Sequence, residues 1–266
     1  MDPIKKLVGA LFIASSIAMG LSDIGLELLP KGRPFRLTFG DPREIRMALL
    51  YEGDSHIQAV VGNYFSIFAI KPSDDNHWAL HLGLEGAGYF SLRQAESRFP
   101  LEAADGQLGI YFEGFADKWQ GQLRYTHLSA HLADGSEGVA IPFSREYVSI
   151  RIAYLILPQL HAYVGQHFII NSVPPVPVLW TQWGFSLFSP KGMGKLTPFV
   201  ATDFKWKQES RYNPTFNLQV GLALNNPPEA YRSFRFFYAY GTGQDPRGQF
   251  YERTQTVHSL GVEMQI

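Results

Sequence analysis

From Trp78 to Leu92 the chain alternates between two classes of residue, interrupted at Gly86 to Tyr89. Trp78, Leu80, Leu82, Leu84, Phe90 and Leu92 fall on one parity, whereas Ala79, His81, Gly83, Glu85, Ala87 and Ser91 fall on the other. A period of two puts the two classes on opposite faces of a β-strand. The run far exceeds the about five or six residues of an average strand. The pattern recurs. Leu108, Ile110 and Phe112 alternate with Gln107, Gly109 and Glu113. Ile150, Ile152 and Tyr154 alternate with Ser149, Arg151 and Ala153, and Leu218, Val220 and Leu222 with Gln219, Gly221 and Ala223. The stretch Ile57 to Ile70 is apolar on both parities, so its register stays open. About twelve such segments run from Arg43 to Ile266, an even number of the kind that closes a bacterial barrel.

A soluble sandwich also alternates, but it turns its polar face to water. Here the small-residue face carries isolated charges, Glu85, Glu113, Arg124, Arg151, Asp203 and Arg235, set among glycines and alanines. That reads as a narrow lumen filled by paired charges, with Asp203 and Lys205 a structural ion pair. After Leu21 no apolar run reaches the about 18 residues of a spanning helix. Trp78, Trp119, Trp180, Trp206 and Tyr231 stand near segment ends, as interfacial girdles do. The expected fold is all-β, a transmembrane antiparallel β-barrel of about twelve strands in a bacterial outer membrane. Leu80, Leu84, Ile150, Ile152, Leu218 and Leu222 should face lipid, and His81, Glu85, Arg151 and Gln219 the lumen.

The N-terminus fits delivery to that membrane. Lys5 and Lys6 precede the apolar run Leu7 to Leu21, and Ala18-Met19-Gly20 supplies small residues at a cleavage spacing. Residues 1–20 therefore read as a signal peptide, residues 21–42 as a periplasmic N-terminal segment and residues 43–266 as the barrel. Cysteine is absent, which removes disulfides, thiolate nucleophiles and cysteine-ligated metals. A net charge of −1 gives no reason to expect nucleic acid as a partner. Short connections (Ala116 to Lys118, Pro158-Gln159, Ser189 to Gly194, Asn225 to Glu229) alternate with longer ones (Arg93 to Asp105, Ala133 to Ser144, Lys207 to Asn213, Gly241 to Arg253). Short turns belong in the periplasm and long loops outside. The last strand, with Leu260, Val262, Met264 and Ile266 on one parity, is similar to the terminal signal read by barrel-insertion machinery. That machinery and outer-membrane lipid are the expected partners; no cofactor is expected.

Gly40-Asp41-Pro42-Arg43, expected to open the first strand, the run Tyr125 to Asp134, Phe199 to Lys205, and Gly248-Gln249-Phe250 occur in an order and spacing that resemble the domain of unknown function 1207 family of exported bacterial proteins. The resemblance runs from about Pro34 to Ile266 and implies a barrel without implying an activity. The family pattern has Ser, Gly and Glu where this chain has Ala130, Ala133 and Gly135.

One cluster has the composition of a catalytic site. The fifth segment presents Trp119, Leu123 and Tyr125 on its lipid parity and continues with His127, Ser129 and His131. The next segment returns with Glu146 on the matching parity. Serine as nucleophile, histidine as base and an acid that orients the imidazole form an activated nucleophile. His127-Leu128-Ser129 with Glu146 resembles the sites of two barrel families, outer membrane phospholipase A and lipid A deacylase. Three readings follow: a structural or narrow-pore barrel in which the cluster is a polar rim; an outer-leaflet lipid acyl hydrolase using Ser129, His127 and Glu146; and a metal site of His127, His131 and Asp134.

Overall fold

The computed structural model describes residues 24–53, 55–72, 77–224 and 233–265. The proposed signal peptide, the turn 225–229, Tyr231 and Ile266 lie outside them. The described residues form thirteen antiparallel strands: β1 Ile24–Leu28, β2 Met47–Glu52, β3 His56–Pro72, β4 Trp78–Arg93, β5 Leu101–Ala116, β6 Trp119–Leu132, β7 Ser144–Leu157, β8 Leu160–Val173, β9 Leu179–Phe188, β10 Leu196–Lys207, β11 Pro214–Leu224, β12 Ser233–Gln244 and β13 Thr254–Gln265. Strands β2 to β13 pair in chain order, and β13 returns to β2 (Leu260 opposite Tyr51, Met264 opposite Met47), which closes a twelve-stranded barrel. Closure leaves no open sheet edge between β2 and β13 where the two pair.

The parities hold. Leu80, Leu84, Ile150 and Ile152 are 37–47% exposed on the outer face, whereas His81, Glu85, Arg151 and Gln219 are buried inside. Leu218 and Leu222 lie half-buried on the outer face. The stretch left open by its two apolar parities is explained by a bulge in β3. Val60, Tyr64 and Ser66 point inward; the register slips between Ser66 and Phe68, after which Ala69 points inward. One extra residue inverts the faces.

Three expectations need correction. Trp180 is buried on the inner face of β9, packed on Tyr147 at 5.2 Å between ring centroids. The outward tryptophan of that strand is Trp183, stacked at 4.0 Å on Phe204. Two long connections are shorter than expected: β5 already begins at Leu101, inside Arg93 to Asp105, and β12 runs on to Gln244, inside Gly241 to Arg253. The first barrel strand opens at Met47 and not at Arg43.

The third correction leads to the main departure. The described part of the stretch expected as a periplasmic N-terminal segment, 24–42, pairs with the barrel wall and enters its lumen. β1 pairs with the far end of β3, Ile24 opposite Pro72 and Leu28 opposite Phe68, while β2 pairs with the near end, Ala48 opposite Val60. The two short strands thus share one position in the wall. Between them the chain turns into the lumen. Phe35, Leu37, Phe39 and Ile45 are buried there, Phe39 against Phe188 at 5.6 Å. Lumenal charges meet partners on this plug: Arg33 Nε donates to Glu113 at 2.9 Å, Arg43 Nη1 to Asp105 at 2.9 Å, Arg46 Nη1 to Glu263 at 3.3 Å and Arg151 Nη1 to Glu44 at 3.1 Å. Asp41 pairs with Lys205, and Lys205 also lies 3.0 Å from Asp203. The physical reason is bore. Side chains alone fill a barrel of about eight strands; a twelve-stranded one is wider and leaves room for backbone inside it.

The mouth on the side of the longer connections is covered as well. Between β12 and β13 a short 3-10 turn, Gly248–Phe250, is buried across the opening. Gln249 Nε2 donates to the carbonyls of Ala130 (2.6 Å) and Ile141 (2.8 Å), and Gly248 N donates to Asp105 at 3.0 Å. The Gly-Gln-Phe run of the family pattern therefore clamps the end of β6 and the loop that follows it.

Candidate functional site

The outward cluster forms on the hairpin of β6 and β7. Register sets His127 opposite Glu146 and Ser129 opposite Ser144; on the far side Glu146 stands opposite Asn171 of β8. All are polar substitutions in an otherwise apolar outer face that includes Leu123 and Tyr125. His127 Nδ1 lies 2.8 Å from Glu146 Oε1, and the Ser144 hydroxyl donates to the same oxygen at 3.4 Å. An ionised carboxylate only accepts. The proton of this contact therefore sits on Nδ1, and in the neutral imidazole Nε2 then carries the lone pair. The imidazole is about half exposed and the carboxylate largely covered, at 45% and 19% of the side chain.

Ser129 shares the outer face with His127, two residues along the strand and so about 7 Å away between Cα atoms. Its hydroxyl makes no hydrogen bond among the described residues. It leans toward β5, where it lies 3.5 Å from the place a Cβ on Gly106 would occupy. The histidine–acid half of the site is assembled; the serine needs a side-chain rotation to meet Nε2. His131 and Asp134 are exposed farther along, and no group of three or more metal-binding side chains forms among the described residues, so His127, His131 and Asp134 do not converge on a common point.

A second polar assembly was not visible in the sequence. Inside the lumen Gln182 Nε2 donates to Asp41 at 2.8 Å and to Asp203 at 2.6 Å, and Tyr163 donates to Asp203 at 2.7 Å. Asp203 and Lys205 were legible as an inward pair, but Asp41 was hidden in a stretch without periodicity.

Comparison with known proteins agrees with the architecture. A family model described as "Protein of unknown function (DUF1207)" matches residues 15–265. No curated protein matches the chain. Among solved structures, an active-site variant of outer membrane phospholipase A from Escherichia coli superposes with a TM-score of 0.52 at 12% identity, over 89% of this chain and 92% of that one. The outer membrane protein OprD from Pseudomonas aeruginosa matches at a TM-score of 0.33 and 9% identity, over 83% and 92%. The first of these supports a shared barrel fold.

Proposed function

We propose that this chain, which belongs to the DUF1207 family, is an integral barrel of the bacterial outer membrane that hydrolyses acyl esters of lipid at its outer face. The observation that carries the reading is the 2.8 Å contact of His127 Nδ1 with Glu146 on the outward face, beside Ser129. An imidazole oriented through Nδ1 presents Nε2 to a nucleophile. Ser129 Oγ attacks the ester carbonyl and its proton passes to His127 Nε2. The intermediate collapses, the proton leaves with the lysolipid alcohol, and water then releases the fatty acid from the serine. The site faces lipid directly, so a bilayer substrate needs no pore.

The test is release of fatty acid by the purified barrel in mixed detergent–lipid micelles, with and without calcium, on phospholipid and on lipid A. Ser129→Ala and His127→Ala should each fall to background while keeping the heat-modifiable mobility of a folded barrel, because nucleophile and base act as one unit. Glu146→Gln should retain part of the activity. Release no greater than that of Ser129→Ala on every substrate would refute the reading.

One observation favours a purely structural barrel instead: the Ser129 hydroxyl is turned toward β5 and meets no base. Under that reading His127 and Glu146 form a polar rim at headgroup level. In either case the plug and the Gly248–Phe250 cap support a sealed barrel over a narrow pore.

A further inference from the structure

Beneath the cap the outer half of the lumen holds a cavity of about 180 Å³, room for roughly six waters at about 30 Å³ each. Its described lining carries eight Arg and Lys side chains against three Asp and Glu. The carboxylates that balance most of these cations, such as Glu85, Asp105 and Glu263, stand behind them in the wall and do not line the space.

The buried Nε atoms of Arg46, Arg124 and Arg151 lack hydrogen-bond partners, and at one place two of the cations that line the cavity share one acid. Arg145 at the start of β7 and Lys207 at the end of β10 share a single carboxylate, Glu209. Arg145 lies 3.1 Å (Nη1) and 2.7 Å (Nη2) from it, and Lys207 Nζ lies 3.8 Å from it, beyond hydrogen-bond reach. The buried Nε of Arg145 has no partner, and neither does the buried indole N–H of Trp180, whose ring lies 4.8 Å from Lys207 Nζ. All three side chains line the cavity. Two cations and two spare N–H donors therefore face a space with one shared acid. Buried donors left without acceptors are costly, and the missing component is an acceptor with negative charge.

We propose that this pocket binds a small oxyanion of the phosphate class, held between Arg145 and Lys207 with Trp180 beside it. Arginine suits several phosphate oxygens at once and lysine contributes a point charge. The cavity has room for such a group. The inference concerns the lumen and is independent of the outward cluster. The same chemistry reaches the site as free phosphate or as the headgroup of a phospholipid.

Trp180 supplies the readout. Purified barrel in non-ionic detergent is titrated at constant ionic strength with inorganic phosphate in one arm and a short-chain phosphatidylglycerol in the other, and tryptophan fluorescence is followed. Saturable change in either arm is expected, and the arm that saturates at lower concentration identifies the source. Lys207→Met should weaken binding roughly ten- to a hundredfold, the loss of one charge-assisted contact, and Lys207→Arg should retain it. Heat-modifiable mobility checks that each variant is folded. Absence of saturation in both arms for the wild-type protein, or an unchanged affinity in folded Lys207→Met, would overturn the site and leave an ion-pair network only.

Discussion

Gly40 marks the point where the plug touches the wall. A Cβ there would lie 2.5 Å from the Thr202 carbonyl carbon and 2.8 Å from the Asp203 nitrogen, both backbone atoms of β10 that cannot swing aside. Gly40→Ala should therefore destabilise the folded barrel by about 1–3 kcal/mol, as overpacking does, measured by urea unfolding in detergent. Glu44 is the more demanding neighbour. It accepts from Thr38 N at 3.1 Å and Arg151 Nη1 at 3.1 Å, and Tyr64 also bonds to it. Glu44→Gln leaves Arg151 buried without a counter-ion and should cost about 3–5 kcal/mol; the double variant Glu44→Gln, Arg151→Met should recover much of it. At this scale the sequence was half informative. Arg151 stands out because a charge interrupts its small-residue face. Glu44 does not, because it lies in a stretch where no period assigns a face.

At the scale of elements, legibility follows regularity. The long strands β4, β7 and β11 repeat their alternation often enough that parity assigns their faces, and the shared outward face of His127 and Glu146 follows in the same way, whereas their direct opposition is set by the register. β3 escapes because its bulge after Ser66 inverts the faces within one strand. β1 escapes because five residues, Ile24–Leu28, are too few to display a period. The plug escapes because a segment held by ion pairs has no need of one. Its rich supply of Pro, Gly and charge reads as a solvated loop, and the lumenal charges read as paired with one another, so nothing pointed to partners on this segment. If the plug is what seals the barrel, wild-type protein in planar bilayers should show no steady conductance. A variant with residues 30–45 replaced by a flexible Gly-Ser linker should show stepwise openings. A closed linker variant would assign the seal to the Gly248–Phe250 cap.

For the whole molecule the outer face decides membrane residence. Leu80, Leu82, Leu84, Ile110, Phe112, Ile150 and Ile152 form an exposed apolar surface across neighbouring strands, far beyond what water tolerates on a monomer. Ile152→Arg should cost about 2–4 kcal/mol if it lies at mid-bilayer and about 0–1 near an interface, measured by unfolding from vesicles. Single cysteines at Leu84, Ile150 and Val220 should react with a lipid-soluble label, and cysteines at Glu85, Arg151 and Gln219 should not. Equal labelling of the two sets would reject the register.

The shared wall position of β1 and β2 has a mechanical consequence. The plug is not a free end tucked into the barrel; it is a loop anchored on both sides to β3, from Phe68–Pro72 through β1 and from Ile57–Val61 through β2. A pull applied to the chain ahead of Ile24 is borne first by the β1–β3 ladder. The ion pairs of Arg33, Asp41 and Glu44 feel no load until that ladder has peeled away. The first strand is strain relief for the plug, and in a pulling experiment its rupture should come as a separate, earlier event.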